Sequence, residues 1–186
     1  MKYFFIATLV VASFGAKAQS TSIIPPFDQS PMDMVYFPDN YPILKIQNKV
    51  SGPLEMRVIY SRPQVKDRKI FGGLQEFGKV WRVGANEATE IEFFKNVTIN
   101  NKKIMKGRYT LYAIPYADKW TFILNKVTDT WGAFKYDSSK DVVRITVPIL
   151  NNSKVEDMTI SLDKTNTGAD LCVLWDEVKA VLPINF

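Results

Sequence analysis

Histidine is missing from the whole chain of 186 residues, and cysteine occurs once. The first absence removes the usual general base, the usual zinc ligand and every Ser-His or Cys-His nucleophile arrangement together. The second excludes an internal disulfide. A chain of this length must then be held by a hydrophobic core, and Cys172, within the apolar run 171–175, is expected to belong to it. Also lacking are an internal repeat, a low-complexity tract, a second long apolar segment and a helical apolar period of useful length. No strong charge bias is present either. With Lys2 and Lys17 lost in a cleaved leader, 22 of the 24 cations face 19 anions, a balance of +3. That value, with no reader motif beside it, argues against nucleic-acid binding.

What is there begins with Lys2, an apolar run over 3–14 and Ala16-Lys17-Ala18. This pattern predicts a signal peptide over residues 1–18, cut after Ala18, and export to the periplasm or the extracellular space with no membrane span afterwards. No cysteine near the cut offers a lipid acceptor. An exported chain with an unpaired cysteine fits a bacterial envelope. Residues 19–30, with Pro25 and Pro26, read as an extended leader, and residues 31–186 as a single β domain. No feature of the sequence selects an oligomeric state.

The domain shows strand signals to its end. Short runs are expected at 35–37, closed by Pro38, and at 43–46. Over 54–60, Leu54, Met56, Val58 and Tyr60 alternate with Glu55, Arg57 and Ile59; over 89–94, Thr89, Ile91 and Phe93 alternate with Glu90, Glu92 and Phe94. Asn100-Asn101 predicts a tight hairpin between 96–99 and 102–105. A strand at 108–114 pairs with 120–125, and further runs at 142–147, 155–162, 171–175 and 178–184 follow, the last two joined at Asp176-Glu177 as a hairpin. The expected fold is all-β: a single antiparallel β-sandwich or barrel-like domain of about ten short strands.

Residues 60–94 concentrate the chemistry. Arg62, Lys66, Arg68, Lys69, Lys79 and Arg82 crowd there, with Phe71, Phe77 and Trp81 expected to fix the loop to the core. Pro63 biases Arg62 toward an extended strand end, and Gly72-Gly73 permits a tight turn. Trp81-Arg82 leading into Gly84-Ala85-Asn86-Glu87 can build a polar site: a flat ring for a sugar, a two-pronged donor for carboxylate or phosphate, and an amide that both donates and accepts. The competing structural reading puts Trp81 in the core, Asn86 in its own turn and Arg82 against Glu87 or Glu90. Trp131-Gly132-Ala133-Phe134 reads more readily as core than as a ligand platform. Asp137 and Asp141 lack a calcium-loop pattern, so no metal and no cofactor are expected.

Tyr60-Ser61-Arg62-Pro63, Lys66, Arg68 to Gly72, Val80-Trp81-Arg82 and Gly84 to Thr89 resemble the family catalogued as domain of unknown function 2911. The similarity continues through Lys106 to Leu111, Trp120, the 131–134 turn and the closing strand near Pro183-Ile184, covering most of 50–186. It implies an exported, single-domain bacterial protein and no particular activity. Gln75-Glu76-Phe77 departs from the apolar residue, proline and aromatic of the resembled pattern, and 38–53 is longer than the usual approach to the Tyr60 strand.

The leading functional expectation is a non-catalytic binding domain for a polar or anionic envelope ligand, a small molecule or glycan, using Arg62, Lys66, Arg68, Trp81, Arg82, Asn86 and Glu87. One alternative is a structural or protein-interaction domain. A second is a carboxylate-dependent hydrolase pairing Glu87 with Glu76 or Asp67, which neighbouring cations disfavour by holding carboxylates ionised.

Overall fold

Nine strands pair into a single antiparallel sheet that is not closed into a barrel, in a computed structural model that describes residues 25–186. The expected signal peptide and the first part of the leader lie outside the described residues. The strands are β1 (Met32–Phe37), β2 (Met56–Ser61), β3 (Glu90–Phe93), β4 (Val97–Ile99), β5 (Lys102–Ile104), β6 (Gly107–Pro115), β7 (Lys119–Asn125), β8 (Asp141–Lys164) and β9 (Gly168–Asn185). Their order across the sheet is β1-β2-β3-β6-β7-β8-β9-β4-β5. Among the described residues no helix is long and apolar enough to cross a membrane.

The alternation read from the sequence sets which faces are buried. Met56, Val58 and Tyr60 of β2 point inward, and the register brings Met56 opposite Phe93 and Val58 opposite Ile91. One face of each strand therefore meets the same apolar layer. The Asn100-Asn101 hairpin forms as expected, with both asparagines at positive φ (47° and 62°), where their short polar side chains are best tolerated.

The long strands differ from expectation. Segments 142–147 and 155–162 are one strand, β8, and segments 171–175 and 178–184 are one strand, β9, so no hairpin stands at Asp176-Glu177. The residues that read as turns are irregularities in a continuous ladder: Val155 pairs with Asp176, the register shifts on both sides of Val155, and Asp176 takes φ 55°. Such a bulge bends a strand without ending it. The true connection between β8 and β9 is residues 165–167. Up to Pro148, β8 pairs with β7, and from Ile149 it pairs with β9, so this strand carries the sheet over onto itself. The loop after β2 closes the fold by backbone hydrogen bonds from Val65 N to Glu156 O and from Met158 N to Pro63 O, both 2.9 Å.

The run at 43–46 is not a strand but part of a short helix, α1 (Tyr41–Ile46). A short apolar run carries no decisive period. Pro42 suits a first helical turn, and the amides of Ile43 and Leu44 both donate to Asn40 O at 3.0 Å. None of its residues is fully buried, so the core does not impose a strand there.

At the centre four aromatic rings meet. Trp81 stacks on Trp175 at 5.8 Å and meets Trp120 edge-on at 5.5 Å, while Phe71 lies 5.0 Å from Trp120 and 5.8 Å from Trp81. Trp120 belongs to β7 and Trp175 to β9, whereas Phe71 and Trp81 come from the long loop between β2 and β3. Phe71 and Trp81 thus fix that loop as expected. Phe77 does not enter the core: it is half-exposed and leans on Gly72, where an added Cβ would sit 2.6 Å from its ring.

Two outcomes follow. Trp120 is fully buried among aromatic partners, so Trp120→Ala should lower unfolding stability by about 3–5 kcal/mol, read from the urea midpoint; a loss below about 1 kcal/mol would contradict this packing. Burial, and secondarily the Asp163 carboxylate 3.4 Å away, push the Cys172 thiol up to about 11. A thiol reagent at neutral pH should therefore label Cys172 only after unfolding in urea, and rapid stoichiometric labelling of the folded chain would refute this.

Candidate functional site

The sequence-predicted residues separate into two groups. Arg62 reaches across to β8 and β1: its Nε donates to Met158 O at 3.1 Å, Nη2 to Thr159 Oγ1 at 3.0 Å, and Nη1 pairs with Asp33 at 3.1 Å. Lys66 donates its amide to Glu156 Oε1 at 2.8 Å and its Nζ to Gln29 Oε1 at 3.1 Å. Arg68 folds back on its own loop, donating to Val65 O at 3.0 Å and to Gln64 O. These cations are spent largely on carbonyl and carboxylate oxygens of the protein itself.

Trp81, Arg82, Asn86 and Glu87 belong together. Trp81 exchanges backbone hydrogen bonds with Ala113 of β6 (2.7 and 2.9 Å), and its Nε1 donates to Gly84 O at 3.1 Å. Its ring is buried, so it anchors the corner and offers no face to a ligand. Thr89 then fixes the return of the loop, its amide donating to Arg82 O at 3.0 Å and its Oγ1 to Val83 O at 2.6 Å. Neither Glu87 nor Glu90 pairs with Arg82. Arg82 Nη1 instead donates to Asn86 O at 3.0 Å, and Glu90 pairs with Arg108 at 3.2 Å. Among the described residues no carboxylate lies within ion-pair distance of Arg82. Burial moves the guanidinium below its ordinary pKa, the direction expected of a charge partly removed from water without a counter-ion.

Asn86 O accepts a second hydrogen bond, from Gly132 N at 2.9 Å, and Ala88 N donates to Thr130 O at 2.9 Å. Glu87 and Trp131 face each other in an isolated antiparallel bridge. The 86–88 corner thereby carries the 130–134 turn as a second layer. Asn86 itself is at φ 56°, and its side-chain amide donates to Asp28 of the leader at 2.7 Å. Gly132 is required at its position: φ is 68°, and an added Cβ would lie 2.7 Å from the Phe134 ring and 3.0 Å from Arg82 Nη1.

This mounting turns the 131–134 aromatics outward, contrary to their reading as core. Trp131 is 59% exposed and Phe134 83%. A cavity of about 370 Å³ between them is lined also by Tyr112, Thr130 and Lys135. Glu87 and Asp129 border a smaller one of about 190 Å³, and Arg82 with Phe134 borders a third of about 230 Å³. Another hollow, of about 290 Å³, lies between Phe77, Tyr116 and Glu177, but its floor of Trp120 is fully buried and presents no ring face to solvent. Nothing local in the sequence separates exposed rings from core rings at Trp131 and Phe134.

A closed polar brace holds the far side of the turn. Tyr136 Oη donates to Asp141 Oδ2 at 2.5 Å, Arg144 donates to Tyr136 Oη at 2.6 Å and to Asp141 at 2.8 Å, and Asn125 Nδ2 donates to Asp141 Oδ1 at 2.8 Å. The Tyr136 ring packs edge-on against Tyr112 at 5.2 Å.

The family model described as "Protein of unknown function (DUF2911)" matches residues 42–184. The chain belongs to the DUF2911 family. No curated protein and no solved structure matches it. The DUF2911 match contains both layers of the corner, 81–89 and 129–136, while Asp28 and β1 precede it.

The brace in this DUF2911 chain makes a pH prediction. Burial first, then the Asp141 hydrogen bond and charge, push the Tyr136 phenol from 10.0 up to about 12. A group with a raised folded pKa contributes stability that is complete below its unfolded value and is lost as pH climbs toward the folded one. Between pH 10.0 and about 12 the melting temperature of the parent chain should therefore fall more steeply than that of Tyr136→Phe, which keeps Tyr60 and Tyr109 and lacks only this phenol. Parallel curves would remove Tyr136 from the brace.

Proposed function

We propose that this protein is a non-catalytic binding domain whose ligand is a glycan, held on the face formed by Trp131 and Phe134. The observation that carries the reading is the pair of solvent-facing rings on a turn fixed by backbone hydrogen bonds to the 86–88 corner. Large exposed apolar rings are unusual where a chain can bury them, and a rigid loop that displays them points to recognition. Sugar rings have apolar C–H faces that stack on aromatics and hydroxyls that need donors and acceptors. The fringe supplies both: Glu87, Asp129 and Thr130 can accept, and Arg82 and Lys135 donate. On an exported chain the natural source is a polysaccharide of the cell envelope or its surroundings.

In this reading Arg62, Lys66 and Arg68 brace the loop, and Asn86 is scaffold. The hydrolase alternative is less well supported. Neither Asp67 nor Glu76 lines the concavity bordered by Glu87, and the nearer carboxylates are both committed to Arg108, which pairs with Glu90 at 3.2 Å and with Asp129 at 2.6 Å.

Soluble polysaccharides screened by isothermal titration should reveal a ligand for the parent chain. Trp131→Ala and Phe134→Ala should each weaken it by roughly tenfold or more, with unfolding stability unchanged within about 0.5 kcal/mol because both rings are exposed. Undiminished binding in both variants would refute this face, and a large stability loss would make the rings structural.

A further inference from the structure

The chain has six arginines, and the protein itself satisfies or solvates five of them. Arg57 pairs with Glu92 at 2.7 Å, Arg62 with Asp33 at 3.1 Å, Arg108 with Glu90 at 3.2 Å and Asp129 at 2.6 Å, and Arg144 with Asp141 at 2.8 Å. Arg68 is exposed and donates to two carbonyls of its own loop. Arg82 differs from all of these. It is partly buried, and among the described residues its side chain makes one hydrogen bond, from Nη1 to Asn86 O at 3.0 Å, and no ion pair. A charge drawn partly out of water is costly unless it is paired, so an unpaired one kept beside a concavity points to a partner from outside.

The surroundings fit such a partner. The hollow of about 230 Å³ that Arg82 borders is lined otherwise by Gln75, Val80, Trp81, Ala133 and Phe134, so the guanidinium is its one charge and no carboxylate stands in it. Arg82 and Phe134 also flank one glycine: an added Cβ at Gly132 would meet the Phe134 ring at 2.7 Å and Arg82 Nη1 at 3.0 Å. An exposed ring and a fork with donors to spare therefore stand side by side.

We propose that the ligand of this face is an acidic glycan, whose carboxylate or sulfate group is taken by the Arg82 guanidinium while a sugar ring lies against Phe134. The inference rests on the glycan reading above and adds the charge of the ligand to it. A guanidinium suits the task because its planar fork offers parallel donors to the paired oxygens of an acid group. The bond from Nη1 to Asn86 O leaves Nε and Nη2 for that group and ties the fork to the corner. Glu87, the nearest candidate to oppose an anion, lines a different concavity. The competing account makes Arg82 a structural prop for Asn86 O alone.

The test titrates the full chain with two matched pairs, oligogalacturonate against its methyl ester and dextran sulfate against dextran, so that within a pair the main difference is charge. In at least one pair the acidic member should bind about tenfold or more tighter than the neutral one, and the gap should narrow as salt rises. The pair that shows it tells carboxylate from sulfate. Arg82→Gln should close the gap, whereas Arg82→Lys, which keeps the charge and loses the fork, should retain part of it; the lysine variant also carries the test if glutamine weakens the fold. An acidic polysaccharide that emerges from the screen instead is judged by the same loss in Arg82→Gln. Equal binding within both pairs, a gap that survives Arg82→Gln, or a screen in which only neutral polysaccharides bind would overturn the assignment while leaving glycan binding intact. If neither the pairs nor the screen yields a ligand, both readings fall.

Discussion

The contact among Trp81, Trp120, Trp175 and Phe71 is the constraint on which the rest of the molecule depends. Two of these rings belong to neighbouring parts of the sheet, β7 and β9, and two to the loop between β2 and β3. Without the loop rings, the aromatic floor of the sheet would face water. Without the sheet rings, a loop rich in cations and glycine would have no reason to hold one shape. Aromatic pairs of this kind add about 0.5–1.5 kcal/mol beyond the area they bury. With several of them shared by four side chains, the loop is a structural layer as much as a connection.

That layer explains what the cations do. A loop laid over a sheet presents carbonyl oxygens that no ladder satisfies, and leaving such groups unpaired when buried is expensive. Arg62, Arg68 and Arg82 each donate to at least one backbone carbonyl: Met158, Val65 and Asn86 respectively. A guanidinium suits the task because its fork reaches several acceptors from one stem. A run of cations in sequence can thus record the needs of an irregular backbone, and the charge density of 60–94 need not describe a ligand. Arg82 is the exception in degree, since it is partly buried and lies against the outward turn at Gly132.

How much of this was legible follows from the range of each signal. Strands β2 and β3 and the Asn100-Asn101 hairpin were readable because alternation and turn chemistry are local. The continuity of β8 and β9 was not. Whether Asp176 ends a strand or bulges it depends on Val155, a residue far away in sequence but paired with it across the ladder. The helix at Tyr41–Ile46 was missed because six residues are too few to show a period. Trp81 was expected among the ligand-binding residues, with core as the competing reading, and its ring is buried as the anchor of the corner. Trp131 and Phe134 were misread because exposure is decided by what lies beneath the turn, and what lies beneath is the 86–88 corner contributed from another part of the chain.

The corner and the turn both lie within the region that matches DUF2911, and their contacts act mainly on the geometry of the chain. Glycine at 132 leaves room for the Phe134 ring and the Arg82 guanidinium to close over it, Asn86 ties both layers through one carbonyl, and the Tyr136, Asp141 and Arg144 brace holds the turn from behind. Each of these residues acts on backbone position, and none needs to touch a ligand. If the proposed binding face is built in this way, most of its specific residues serve rigidity, which lowers the ordering cost of association. In the proposed reading only a few side chains, chiefly Trp131, Phe134 and Glu87, would meet a ligand. Arg82 aside, specificity on such a face should therefore respond more to changes in the turn's geometry than to changes in the charge of the loop.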